Sequence, residues 1–390
     1  MSLRADYSTS ALAAGMLACF VGFASTFAVI VRGLTAVGAT PEQAASGLLA
    51  VSVAMGLATI AMSLATRDPI SIAWTTPGAA LLAGSSMVPG GFAGAVGAFV
   101  ICAVLILLAG QIRLIGRAVA AIPTPIANAM LAGVLLPLCL APVKAVAATP
   151  VLGLAIVATW AVVAKFHRLY AMPAAVLVAA IGIAVTANIG AIQPAALWPV
   201  AIFVTPHFSM QGLVGLALPL FIVTMASQNI PGLAVLNLNG YYPEATRVFT
   251  TTGLFSIVAA PFGSVAVNFA AITAAITAGT DCHPDPARRY WGTLVAGTGY
   301  IFYGLLAAAA TAFMAAAPPL LIEAVAGLAL LGAFGSSLMG AVSDPKEREA
   351  AIITFVVAAT GVSWFGIGGA FWGLLAGGAI HLLGKWRIRQ

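Results

Sequence analysis

Apolar runs follow one another along nearly the whole chain, separated by short polar turns. Each is close to the ~20 residues a helix needs to cross the hydrocarbon core of a bilayer. In that medium every backbone N–H and C=O must find an internal partner, which helices do within one segment. Only 7% of the residues are charged and 62% are hydrophobic, against about 25% charged in a soluble domain. The chain therefore reads as an all-α polytopic membrane protein whose main partner is the lipid bilayer.

The runs divide into fourteen segments. The first seven cover residues 11–32, 42–65, 69–84, 92–111, 122–141, 149–165 and 171–189. A polar-flecked connector, 190–211, carries Pro194, Pro199, Pro206 and His207. The second seven cover 212–236, 244–260, 261–279, 287–313, 319–341, 346–363 and 365–384. The first segment follows a short polar leader without a convincing cleavage site and is taken as a retained span. Helix starts are punctuated. Thr40-Pro41-Glu42-Gln43 has an N-cap, a proline at the first helical position and a capping-box Gln. Asp344-Pro345-Lys346-Glu347 repeats that grammar, and Asp285-Pro286 does so without the box.

Two segments are too short to cross as helices. Pro69–Gly84 reads PISIAWTTPGAALLAG, and Pro261–Gly279 reads PFGSVAVNFAAITAAITAG. In the first, Pro69 to Trp74 reads as extended chain. Thr76 then caps a half-helix from Pro77 to about Ala83. An ordinary loop between two spans is the plainer reading of either stretch alone. Their matching positions in the two halves favour broken spans, because such backbone is tolerated at membrane depth only where it is buried in protein or lines a cavity. A half-helix N-terminus there presents free N–H groups and a positive dipole end, suited to an anion. Paired broken segments point to a transporter site.

The halves match elsewhere too. At an offset of 202, Ala24 and Ser25 fall on Ala226 and Ser227, and Pro41-Glu42 falls on Pro243-Glu244. Pro125, Ala132 and Gly133 match Pro319, Ala326 and Gly327 in spacing. A duplication of seven segments, residues 1–190 and 191–390, follows. An odd number of crossings per copy makes the repeats inverted. With the N-terminus inside, 14 of the 16 basic residues fall on the cytoplasmic side, including Arg4, Arg113, Arg117 and Arg389. Only Arg32 and Lys144 fall outside. Both termini are then cytoplasmic, and the net charge of +6 orients spans rather than binding nucleic acid.

No P-loop, nucleophile elbow, dinucleotide fingerprint or Cys/His ligand spacing occurs, so neither enzyme chemistry nor a cofactor or metal is expected. The four cysteines show no paired spacing, and Asp281-Cys282-His283 reads as a solvated turn. Ionisable groups inside the spans are scarce. Glu323 is the proton-coupling candidate. It either faces a cavity or lies one turn inside the boundary and reaches water. His381 reads as interfacial. Segment 8 carries Thr224, Ser227, Gln228 and Asn229 ahead of Pro231. Helix–helix hydrogen bonding would account for them, as would a substrate-facing cluster with Ser25, Thr26, Trp74, Thr75, Thr76 and Asn268. An aromatic acid needs an apolar slot, an aromatic wall and donors for its carboxylate. Trp74, Phe269, the two amides and two half-helix N-termini supply these, with no cation at mid-depth.

IAWTTPGAALL, MASQNIPGLAVL and AVNFAAITAAI resemble the signature segments of the benzoate:proton symporter (BenE-type) family, and the likeness runs the whole length. That family is related in fold to uracil/xanthine permeases and sulfate-type anion transporters. The resemblance implies a core of segments 1–4 and 8–11, and a gate of segments 5–7 and 12–14. It implies a substrate site between the half-helices of segments 3 and 10, an elevator-like motion, and a homodimer through the gate. Where nucleobase permeases carry an acidic residue in segment 8, this chain has Gln228, which suits an anion. Where the family often reads Gly-His after Phe-Gly in segment 10, this chain has Ser264-Val265. The implied activity is proton-coupled uptake of benzoate or a similar aromatic carboxylate in the inner membrane. Uptake or exchange of another organic or inorganic anion, a channel and a transport-inactive sensor are the alternatives.

Overall fold

The computed structural model describes residues 8–85, 87–112, 123–186, 197–362, 364 and 367–388. Arg4, Arg113, Arg117, Pro194 and Arg389 lie outside these residues. Ser8 caps α1 (Thr9–Ala36) by accepting from Ala11 N. Thr40 and Gln43 form the expected capping box at the start of α2 (Pro41–Thr66). A three-residue strand β1 (Ile72–Trp74) leads into the short helix α3 (Thr76–Ala83), followed by α4 (Phe92–Gln111). Next come α5 (Thr124–Cys139), α6 (Ala141–Ala148), α7 (Pro150–Phe166) and α8 (Ala171–Thr186).

The second half begins with α9 (Met210–Leu238) and α10 (Ala245–Ala259). Strand β2 (Val267–Phe269) leads into α11 (Ala271–Ala278). Then follow α12 (Tyr290–Leu305), α13 (Ala307–Ala316), α14 (Pro319–Ala341), α15 (Arg348–Ala359) and α16 (Gly369–Ile388).

Six described helices are long and apolar enough to cross a membrane, or seven if α12 and α13, bent by 51° at their junction, count as one span. This is fewer than the fourteen apolar windows of the sequence. Segments 3 and 10 are strand-plus-helix, and α7, α8 and α16 belong to the shorter apolar class. Segment 13 shortens because the Asp344 carboxylate accepts from Lys346 N within a turn, and α15 starts only at Arg348.

Helix packing falls into two groups. α12 lies along α1 and α2, α10 along α4, and α1 holds both α3 and α11. Separately, α14 packs on α5 and α6, α15 on α5 and α16, and α7 on α8. The groups meet where α1 touches α8 and α14, and where α3 touches α5. Small residues permit the close crossings expected in a bilayer. A Cβ on Gly56 of α2 would lie 2.5 Å from the Gly297 carbonyl of α12, and one on Gly297 would lie 2.8 Å from the Gly56 carbonyl.

Candidate functional site

β1 and β2 pair antiparallel, with Ile72 opposite Phe269, Ala73 opposite Asn268 and Trp74 opposite Val267. The two broken segments thus meet as one small ribbon in the protein interior. A ribbon this short leaves outer-edge backbone groups without strand partners, which is costly when buried. Side chains from neighbouring helices supply partners. Thr59 Oγ1 accepts from Ile72 N (3.0 Å) and is within 3.1 Å of Ile72 O. Ser63 donates to Ile70 O, and Ser256 accepts from Val267 N at 2.9 Å. Asn229 Oδ1 accepts from Phe269 N at 3.0 Å.

α3 and α11 each follow their strand in sequence, and because the strands are antiparallel the two helix N-termini lie at opposite ends of the ribbon. Thr75, not Thr76, is the N-cap of α3: its hydroxyl accepts from Gly78 N at 3.1 Å. Adjacent threonines carry the same local capping signal. The choice falls to Thr75 because it is fully buried and its hydroxyl also meets Thr224 Oγ1 of α9 at 2.9 Å. Thr76 becomes the first helical residue and is half-buried. At α11 the N-cap is Ala270, which has no side chain able to cap. Its first-turn N–H groups therefore lack the side-chain acceptor that α3 has. Ala271, the first residue of α11, lines a cavity of ≈ 950 Å³ with Ser10, Leu17, Tyr170 and Asp281. A second cavity of ≈ 1000 Å³, lined by Met16, Phe20, Trp291 and Phe302 among others, draws its whole lining from α1 and α12.

Trp74 is 3% exposed and donates from Nε1 to Thr26 Oγ1 at 2.9 Å. Its ring sits 5.4 Å from that of Phe23, which stacks on Tyr303 at 5.1 Å. Ser25 is half-buried and turns its hydroxyl onto the Val21 carbonyl. Ser227, its counterpart at the offset of 202, turns onto Val223 in the same way. α9 widens to π turns over Leu213–Ala217 and over Met225–Asn229, the second directly over the polar cluster. Pro231 has no N–H to offer the carbonyl four residues earlier, which removes one α-helical bond there. π turns frequently sit at functional sites.

The turn buries Asn229 against β2 and leaves Gln228 half-buried, with no hydrogen bond among the described residues. Gly232 lets Phe269 pack on α9, since a Cβ there would lie 2.5 Å from Phe269 Cβ. Asn268 is buried in β2; its amide is satisfied with the oxygen toward Thr75 N (3.2 Å) and the nitrogen toward Phe269 O (2.8 Å).

Ser264 and Val265 stand earlier in the buried run leading to β2, with Ser264 Oγ on the Val265 carbonyl at 2.8 Å. Glu323 lies in the second turn of α14 and pairs with Arg32 of α1 through Nη2–Oε1 at 2.6 Å. His381 Nδ1 meets Glu347 Oε2 at 2.6 Å. No group of three or more His, Cys, Asp or Glu able to hold a metal ion occurs among the described residues.

The sequence reading did not anticipate the hydroxyl partners Thr59, Ser63 and Ser256, the Ser71–Thr273 hydroxyl contact at 2.6 Å, or the Phe23–Tyr303 wall. Hydroxyl residues inside otherwise apolar segments beside the two broken ones were the available signal.

A family model described as benzoate membrane transport protein matches residues 5–383. The chain is 37% identical over 377 residues to the inner membrane protein YdcO of Escherichia coli (strain K12), covering 95% of each chain. It is 30% identical over 380 residues to the benzoate membrane transport protein of Acinetobacter baylyi (strain ATCC 33305 / BD413 / ADP1), covering 96% of this chain and 95% of that one. Among solved structures, the transmembrane domain of the cyanobacterium bicarbonate transporter BicA superposes with a TM-score of 0.59 at 15% identity, covering 95% and 98% of the two chains. SLC26A9 superposes with a TM-score of 0.62 at 12% identity, covering 98% of this chain and 67% of that one. These two likenesses concern the fold.

Proposed function

The chain belongs to the benzoate membrane transport protein family, and from that premise we propose that it takes up benzoate or a similar aromatic carboxylate together with protons across the inner membrane. The observation that carries this reading is the buried β1–β2 ribbon with a half-helix N-terminus on each side. An aromatic acid bound there has Trp74 and Phe269 for its ring. It has the first-turn N–H groups of α11 and the uncommitted Gln228 amide for its carboxylate. Helix dipoles and neutral donors hold the charge without a fixed cation, which keeps the loaded site light in charge as it moves through a low-dielectric region.

Fourteen segments in two inverted repeats of seven, residues 1–190 and 191–390, account for the antiparallel ribbon and for the equivalent Ser25 and Ser227 hydroxyl bonds. Segments 1–4 and 8–11 act as the moving core and segments 5–7 and 12–14 as the gate; the two packing groups support that division. The core slides against the gate in an elevator-type cycle, and the gate forms a homodimer. Both termini are cytoplasmic. The ≈ 950 Å³ cavity beside α11 is lined by Ser10 and Asp281, on the cytoplasmic side in this orientation, which supports an inward-facing state. Glu323 is the proton-coupling candidate, as a carboxylate able to exist either paired with Arg32 or as a neutral acid released from it.

Binding of labelled benzoate to the purified protein tests the site. Gln228→Ala should weaken binding about tenfold while the protein still inserts and folds, the scale of one lost hydrogen bond to a charged group. Unchanged affinity in both Gln228→Ala and Thr76→Pro would remove this site. Glu323→Gln should keep substrate binding and lose proton-driven accumulation.

A further inference from the structure

Arg32 and Glu323 face each other across the boundary between the two helix groups, Arg32 on α1 and Glu323 on α14. Among the described residues, the Arg288–Asp285 pair and the His381–Glu347 contact each stay inside one group. Arg32 lies six residues beyond Thr26 on the same helix, about 9 Å along the axis from the Trp74 hydrogen bond. It stands where α1 ends, at the mouth opposite the ≈ 950 Å³ cavity.

The guanidinium is only partly used. Its Nε is buried and has no hydrogen-bond partner among the described residues, while Nη2 meets Glu323. A guanidinium presents a planar fork suited to a carboxylate taken in two parallel bonds. The pair borders a cavity of ≈ 160 Å³ between α1, α13 and α14. Two other polar side chains line it, and both are spent on their own helices: Thr35 Oγ1 donates to Val31 O and Thr311 Oγ1 to Ala307 O. Charge recognition at this mouth therefore falls to Arg32, and its present occupant is a carboxylate supplied by the opposite helix group.

Resting on the transport reading above, we propose that Arg32 is the outer capture site for the substrate carboxylate and that Glu323 is its tethered competitor. With the mouth shut, Glu323 holds Arg32 and ties α1 to α14. When the core moves away from the gate at this end, Glu323 leaves with α14 and turns its carboxylate to external water; it is already 25% exposed. Arg32 is then the nearest cation to the path along α1, and an arriving carboxylate takes both Nε and Nη2. Passage of the substrate inward to the half-helices frees Arg32 for Glu323, which closes the mouth behind it. Arg32 thus selects carboxylates at entry, whereas the central site selects the ring.

The test is exchange of external labelled benzoate for internal unlabelled benzoate in oriented proteoliposomes, without a proton gradient, read as half-saturating external concentration and maximal rate. Arg32→Gln should raise the half-saturating concentration about tenfold or more, the scale of one lost charged hydrogen bond, and change the maximal rate far less. Glu323→Gln, with the competitor removed, should lower it several-fold. The exchanged pair Arg32→Glu with Glu323→Arg restores a structural bridge but moves the cation off α1, so the raised concentration should persist. Return of the parent value in the exchanged pair would mean that the bridge is structural only and would overturn the inference. So would an Arg32→Gln protein with unchanged half-saturation. Parent protein that exchanges no benzoate would overturn the functional reading and this inference with it.

Discussion

Replacing Thr75 by valine removes one hydroxyl at the junction of β1, α3 and α9 while keeping the side-chain volume. Two interactions go with it: the cap on Gly78 N and the contact with Thr224 Oγ1. Loss of an N-cap costs about 1 kcal/mol. A side-chain hydrogen bond between membrane helices averages about 0.6 kcal/mol. Together Thr75→Val should destabilise by about 1.6 kcal/mol, or about fifteenfold in the folding equilibrium. Thr224→Val removes the second interaction alone and should cost about 0.6 kcal/mol. Thr75→Ser keeps both and should stay within about 0.5 kcal/mol of the parent. Reversible unfolding of the purified protein by SDS titration, followed by circular dichroism, resolves these differences. Equal losses in Thr75→Val and Thr224→Val would refute the cap assignment, because the ~1 kcal/mol separating them is the cap itself.

Gln228→Glu sets a second carboxylate beside the substrate's own and should weaken benzoate binding at least about tenfold by calorimetry, since like charges juxtaposed cost several kcal/mol; unchanged affinity would move the carboxylate away from Gln228. Arg289 is 5% exposed and donates to the Ala278 carbonyl at the end of α11 (2.7 Å) and to His283 O (2.8 Å). Arg289→Ala should destabilise by about 2–4 kcal/mol, and an unfolding midpoint equal to the parent's would contradict this role. Burial pushes the Cys282 thiol up to about 11, with the nearby Arg289 charge only partly opposing it. At pH 7 about one such thiol in ten thousand is thiolate, so maleimide should spare Cys282 in the folded protein, label it after denaturation, and gain on it as pH rises. Equal labelling rates in the two states at pH 7 would contradict its burial.

Helix limits were largely legible from hydropathy and punctuation. α4 occupies 92–111 and α14 occupies 319–341, as the apolar runs imply, and the Thr40–Gln43 box starts α2. The two broken segments announced themselves through length, proline and glycine. Their pairing did not, because register between Ala73 and Asn268 is set by tertiary contact across the whole chain. The run 287–313 reads as one helix but breaks at Leu306, and no proline marks the bend. Gly304 packs so closely on α2 that an added Cβ would lie 2.8 Å from Ser52 Cβ, a constraint visible only once the helices are assembled. The candidate site was legible as residue types: Trp74 with Thr26, and Asn229 with Phe269, form direct contacts. What sequence left open was the polarity of Glu323. It is one turn inside the end of α14 and faces Arg32, a residue counted only as an outer loop charge.

Uptake of labelled benzoate into proteoliposomes, with and without an inward proton gradient, tests the central claim most directly. The account predicts accumulation that requires the gradient and is competed away by unlabelled benzoate but not by uracil or sulfate. Equal uptake with and without the gradient, or none at all, would contradict it.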